Sequence, residues 1–196
     1  MNFFALSLSL LSITSSALGY QAGMKDGFLN THNRARGEHG VGGMYWDNNL
    51  AAGAQLWANR CQFAHSRGNY GENLAMGHRT ASLAVQEWVN ERSSYNYNYG
   101  DFSAATGHFT QVVWKGSTRL GCGARLCGRQ WLYVCRYQSP GNFRGRFQAN
   151  VFPRRGGAVY RRTNGTETVE YEHTEEEHAD ADGEWEDETA WVADEE

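Results

Sequence analysis

The chain has 196 residues and a formal net charge of −4. That small value hides two opposed segments: residues 163–196 hold fifteen Asp and Glu and no Lys or Arg, whereas the 162 residues before them hold all eighteen Lys and Arg against seven acidic residues. The tail is too charged and too poor in aliphatic side chains to bury a core and is expected to be disordered, so the chemistry must sit in the body.

Residues 1–19 come first. Phe3 to Ile13 is an apolar run of eleven residues, suited to a signal-peptide core and short of the ~20 residues that span a bilayer. Ala17 and Gly19 are small residues placed for a cut before Tyr20, although the segment lacks an N-terminal Lys or Arg. The mature chain is therefore expected to be secreted, with no stable membrane insertion. Residues 20–155 form one domain's length, and 156–196 a basic-to-acidic linker and tail. The tail begins at Asn164-Gly165-Thr166, an N-glycosylation acceptor.

Within the body, Met24, Phe28, Leu29 and Ala35 share a helical face, and Gly40, Gly42 and Gly43 stop that helix. Asn48 or Asn49 can cap a second helix through Leu50, Ala54, Trp57 and Ala58. A Gly-rich turn around Gly68 and Gly71 follows. Thr80 can cap a third helix carrying Leu83, Ala84, Glu87, Trp88 and Glu91. Residues 90–107 read as a long polar and aromatic loop. His108 to Trp114 is ambiguous: its β-branched and aromatic residues favour a strand, while the spacing of Phe109, Val112 and Val113 is helical. Residues 119–125 and 131–138 read as strands joined at Cys127-Gly128-Arg129-Gln130. Helices followed by a short antiparallel sheet point to an α+β fold.

The four cysteines, Cys61, Cys122, Cys127 and Cys135, are even in number and favour two disulfides in an exported chain. A zinc–thiolate site fits poorly, because Cys122 and Cys127 are five apart and Cys135 has no close partner. The body has sixteen Arg and two Lys, but a secreted, disulfide-bonded chain rarely meets nucleic acid, and none is expected as a partner.

Four blocks carry a resemblance. They are His32-Asn33-Arg34-Ala35-Arg36; His65-Ser66-Arg67-Gly68-Asn69-Tyr70-Gly71-Glu72-Asn73-Leu74-Ala75; Gly107-His108-Phe109-Thr110-Gln111-Val112-Val113-Trp114; and Leu132-Tyr133-Val134-Cys135-Arg136-Tyr137-Gln138-Ser139-Pro140-Gly141-Asn142-Phe143. Together they resemble the CAP superfamily of cysteine-rich secretory, antigen-five and pathogenesis-related group-one proteins. Ser139 departs from the usual pattern of the last block.

The resemblance implies an α-β-α sandwich with a small antiparallel sheet between helical layers, and a helix at His108 to Trp114. It implies disulfides Cys61–Cys122 and Cys127–Cys135. It also implies a central group of His65, Glu72, Glu91 and His108 that binds a divalent, zinc-like cation. The spacing of these four carries no metal motif by itself. The loop Tyr95-Asn96-Tyr97-Asn98-Tyr99-Gly100-Asp101-Phe102 resembles that of fungal sterol-binding members, which makes Tyr95, Tyr97, Tyr99 and Phe102 the candidate lipid contacts. A sterol or other small lipid is the expected ligand. The alternatives are a secreted protein aimed at a host protein partner, and a metal-dependent hydrolase. No GxSxG elbow is present for a serine hydrolase. Of the remaining histidines, His32 is expected, with Arg36 of the same block, to have a structural helix-packing role, His39 and His78 to be solvated, and His173 and His178 to lie in the solvated acidic run.

Overall fold

The computed structural model describes residues 7–155, 158–163 and 166–171, with side chains over residues 23–155. The glycosylation acceptor Asn164, the tail histidines His173 and His178, and the acidic stretch beyond Tyr171 lie outside the described residues. The chain divides into two compact units, residues 1–157 and 158–196.

In the first unit α1 spans Ser7–Glu38 and is followed by β1 (Tyr45–Trp46), α2 (Asn48–Ala58), β2 (Gly71–Met76), α3 (Ala81–Asn90), a 3₁₀ turn (Glu91–Ser94), α4 (Gly107–Val112), β3 (Arg119–Cys127) and β4 (Gln130–Gln138). Phe28, Thr31, His32, Ala35, Arg36 and His39 are buried along α1, a 3.6-residue stripe that faces α3 and α4. Removal of residues 1–19 would take away none of these. The helix over 22–39 thus forms as its pattern predicts. His39 is a correction: it is fully buried, not solvated. Its Nδ1 sits 2.7 Å from the Phe152 carbonyl oxygen, and burial lowers its pKa.

Helix α2 is capped by Asp47, whose carboxylate accepts from the Asn49 and Leu50 amides, in place of the expected Asn48 or Asn49. Helix α3 starts as its sequence predicts, with the Thr80 hydroxyl accepting from Leu83 N–H. The segment read as a Gly-rich turn continues into a strand, β2. A Cβ on Gly71 would lie 2.0 Å from the Gln111 amide oxygen, so that glycine answers a close approach of α4 rather than a turn.

The sheet order is β1-β3-β4-β2, with β1 parallel to β3 and the other pairs antiparallel. The sheet is therefore mixed at one edge. Side-chain alternation along β4 builds the layers. Leu132 and Val134 pack with Ala54 and Ala58 of α2, while Tyr133, Cys135 and Tyr137 enter the larger core with α1, α3 and α4. Gly121 and Gly123 let α2 lie directly on β3: a Cβ at either would come within 2.4 Å of α2 backbone atoms. The result is the α-β-α sandwich, and the segment from His108 forms the short helix α4 and not a strand.

The disulfide pairing differs from the expected one. The bridges are Cys61–Cys127 and Cys122–Cys135. The two-residue turn at Gly128 and Arg129 fixes a register in which Cys122 stands opposite Cys135 and Cys127 opposite Gln130. Cys127 and Cys135 are then far apart along the hairpin, whereas Cys122 and Cys135 have Cα atoms 4.1 Å apart. Cys61, just past α2, reaches the hairpin tip instead. Mapping of unreduced peptides should yield these two linkages, and a Cys61–Cys122 fragment would refute them. Removing the 66-residue bridge with Cys61→Ser and Cys127→Ser should cost about 4 kcal/mol by chain entropy, read from urea unfolding.

The second unit contains an antiparallel pair, β5 (Ala158–Thr163) and β6 (Thr166–Tyr171). Both strands fall within residues 156–196, the stretch read from sequence as a basic-to-acidic linker and tail. Val159, Val169 and several Thr residues supply β-branched side chains on both strands.

Candidate functional site

Two histidine–glutamate pairs meet at one cleft. His65 and Glu72 come from the loop before β2 and from β2 itself, Glu91 from the turn after α3, and His108 from the first turn of α4. His65 Nδ1 is 3.1 Å from Glu72 Oε1, and His108 Nδ1 is 2.7 Å from Glu91 Oε1. Each carboxylate is held from behind. Glu91 Oε2 accepts from the His108 and Phe109 amides, both at 3.0 Å, which satisfies two orphan donors at the start of α4. Thr106, the residue at that cap, makes no side-chain capping bond of its own. Glu72 accepts from Ser66 N–H at 2.8 Å, from the Ser66 hydroxyl and from Arg136 Nε at 3.3 Å. The Arg136 guanidinium also donates to Ser66 Oγ and lies over the Tyr70 ring. Trp88 stacks near the His108 imidazole, and Asn73 donates to the His108 carbonyl.

The four residues therefore do not form a four-ligand group. Among the described residues, no three His, Cys, Asp or Glu side chains are gathered as a metal cluster. Each carboxylate instead engages an Nδ1, which fixes the ring and leaves Nε2 as the available nitrogen. Carboxylate-oriented imidazoles of this kind are the usual support of a metal-ligating histidine. The donor set that fits a zinc-like cation is thus His65 and His108, with Glu72 and Glu91 as their orienting partners. Ser66, Tyr70 and Arg136 were not singled out from sequence as site residues, although Ser66 and Tyr70 sit inside the His65 block and Arg136 inside the last.

The cleft holds about 220 Å³ and is lined by His65, Glu72, Asn73, Phe102, Ala104, Gly107, His108 and Asn142. Phe102 joins it to the aromatic loop, with its ring against Gly107. The loop's four candidate aromatics separate into two classes. Tyr95 is buried and Tyr97 packs on the core; they meet edge-on at 4.9 Å, and both pack against Phe109. Burial pushes the Tyr95 hydroxyl up to about 12. Tyr99 is 84% exposed and Phe102 48% exposed. The Asn96 side chain accepts from the Asn98 and Tyr99 amides and turns the loop outward.

The sequence model of the cysteine-rich secretory protein family, CAP, matches residues 29–137. The chain belongs to this family. It is 46% identical over 123 residues to pathogenesis-related protein 1 of Arabidopsis thaliana, an alignment covering 59% of this chain and 76% of that protein. It is 44% identical over 132 residues to protein PRY2 of Saccharomyces cerevisiae, covering 64% of this chain and 40% of PRY2. Among solved structures, NaASP2 crystallised with Zn2+ superposes with a TM-score of 0.57 at 25% identity, covering 67% of this chain and 87% of that one. The four blocks, the fold and the family assignment agree.

Proposed function

We propose that this CAP-family protein is secreted and binds a sterol or similar small lipid on the exposed edge of its aromatic loop. The observation that carries this reading is the outward pair Tyr99 and Phe102, presented on a loop whose other two tyrosines anchor it in the core. An exposed aromatic edge held on a rigid base offers apolar area at small entropic cost, and burial against a flat apolar ligand contributes ~25 cal/mol per Å². The cleft beside it is too small to swallow a sterol, so the ligand would lie across the surface. Among the described residues no helix is long and apolar enough to cross a membrane.

Within this reading His65 and His108 hold a divalent cation weakly, the remaining positions being open to water. The Zn2+ bound to the structural relative NaASP2 supports that choice of metal.

The test is saturable sterol binding by the mature protein and by a Tyr99→Ala, Phe102→Ala variant. These side chains are exposed, so the fold should persist and affinity should drop at least tenfold. A His65→Ala, His108→Ala variant should keep sterol binding and lose zinc uptake in calorimetry. Unchanged binding by the loop variant would move the lipid elsewhere. The first alternative would then be the cleft of about 420 Å³ between α1 and α3, lined by Met24, Gly27, Arg79, Ala81, Ser82 and Tyr133.

A further inference from the structure

A groove of about 530 Å³ lies between the turn after α4 and the segment after β4, lined by Trp114, Gly116, Ser139, Pro140, Phe143, Arg144, Arg146 and Asn150. It shares no lining residue with the histidine cleft. We propose that it is a binding site for an organic carboxylate carrying one or two rings.

Three observations point there. The first is Trp114. The residue is only 3% exposed, but its indole N–H is not one of the buried unpartnered polar atoms: the nitrogen reaches the groove, and no hydrogen bond from it is seen among the described residues. A donor at a groove edge is hydrated when the groove is empty and can exchange that water for a ligand oxygen. The indole nitrogen edge borders Gly116, where a Cβ would lie 3.4 Å from Nε1. Glycine at that position leaves the nitrogen open to the groove.

The second observation is charge. Arg144 and Arg146 are exposed, and neither guanidinium has an ion-pair partner among the described residues. No Asp or Glu lines the groove. The one amide there, Asn150, is already used: its oxygen accepts from Gly116 N–H and its nitrogen donates to the Arg146 carbonyl. The hydrogen-bonding capacity left over is therefore mainly that of donors. A site with a surplus of donors and positive charge selects an oxyanion, and planar guanidinium forks match a carboxylate in two-point contacts.

The third observation is the apolar wall. Phe143 is 54% exposed and Pro140 lies beside it. An inorganic anion gains nothing from such a surface. A ring does, whether the face of a pyranose or an aromatic ring, and the volume suits a ligand of that size. The segment is also held in place rather than left loose. Gly141 N–H donates to the Gln111 side chain, Ser117 Oγ donates to the Ser139 carbonyl, and Arg146 N–H to the Phe143 carbonyl. The groove is thus preformed on α4 and β4.

A ring-bearing carboxylate in a secreted setting has two chemical sources, an acidic sugar or a small aromatic acid, and they can be separated. The experiment uses ¹⁵N-labelled full-length protein. The Trp114 indole N–H resonance is assigned by its loss in a Trp114→Phe variant. Titrations follow with digalacturonate, neutral digalactose, phenylacetate and inorganic phosphate. At least one of the two carboxylates should move this resonance saturably, at least tenfold more tightly than digalactose. An Arg144→Ser, Arg146→Ser variant should weaken that binding at least tenfold while its thermal midpoint stays unchanged. Digalacturonate alone would assign the site to acidic sugars, and phenylacetate alone to aromatic acids. The proposal is overturned if the resonance stays still with both carboxylates, if digalactose binds as well, if phosphate binds as tightly as the better carboxylate, or if the arginine variant binds unchanged.

Discussion

Lowering the pH from 7 to 4.5 is expected to remove about 2 kcal/mol of folding stability through His32 alone. The imidazole is fully buried between α1, α3 and β4. Its Nδ1 lies 2.8 Å from the Phe28 carbonyl oxygen and its Nε2 lies 2.9 Å from the Tyr137 hydroxyl. A carbonyl can only accept, so Nδ1 carries the proton and Nε2 accepts from Tyr137 O–H. Burial lowers the pKa from 6.5 to about 4, and the nearby Arg36 charge adds to the effect, against the Phe28 hydrogen bond. The sign follows from linkage. Between pH 6.5 and about 4 the unfolded chain binds a proton that the folded chain refuses, so stability falls as the pH falls through that window and is fully present above it. The loss across the whole window is about 3 kcal/mol. His39, also buried and also lowered, acts in the same direction. Urea unfolding at pH 7, 6, 5 and 4.5 measures the slope. A His32→Gln variant should be less stable at neutral pH but should show a visibly flatter profile. An identical slope in that variant would assign the acid sensitivity to other groups.

How far the sequence could be read depends on which force decides each feature. Helix α3 was legible because its cap and its apolar period agree: Thr80 starts it, and Ala81, Ala84, Val85, Trp88 and Val89 bury one face. Strand β2 was not, because Gly71, Glu72 and Asn73 are turn-like by composition. They form a strand only because β4 pairs with them and α4 needs the space at Gly71. The disulfides were legible in number but not in pairing, since pairing follows hairpin register, and one opposed pair decides both bridges. His65, Glu72, Glu91 and His108 were brought together by resemblance, not by spacing. Their division into imidazoles and orienting carboxylates needed three-dimensional distances. The aromatic loop shows the limit best. Tyr95, Tyr97, Tyr99 and Phe102 look alike in sequence, yet two anchor the loop and two face outward. An aromatic side chain suits a core and a ligand surface equally well, and only the path of the backbone distinguishes them.

Replacing Arg36 by Met should destabilise the domain by more than about 3 kcal/mol, the largest single-residue effect expected here. Its guanidinium is buried with no carboxylate partner among the described residues, and backbone carbonyls solvate it instead. Nε donates to the Gly42 oxygen at 2.7 Å, and Nη1 donates to the Val112 and Trp114 oxygens at 3.0 and 2.8 Å. Burial lowers its pKa to about 10, which still leaves it charged at neutral pH. The Val112 and Trp114 carbonyls belong to the end of α4, where a helix has no internal donors left and a cation is favoured. One side chain therefore fastens α1, the loop after it and the helix that carries His108. Methionine would fill much of the volume but leave the Gly42 and Val112 carbonyls without their donor and the Trp114 carbonyl with only the Ser117 N–H. Arg36→Lys keeps the charge and lacks the fork, since a single ammonium cannot reach both sides of the site, so it should lose a substantial part of the same stability. Urea midpoints for both variants, read beside the His108 imidazole resonances, separate global unfolding from a local shift of α4. A loss below about 1 kcal/mol for Arg36→Met would mean that water replaces the guanidinium at these carbonyls, and that α4 is held by its apolar face, by Glu91 and by its bonds to Asn73, Asn142 and Gly141.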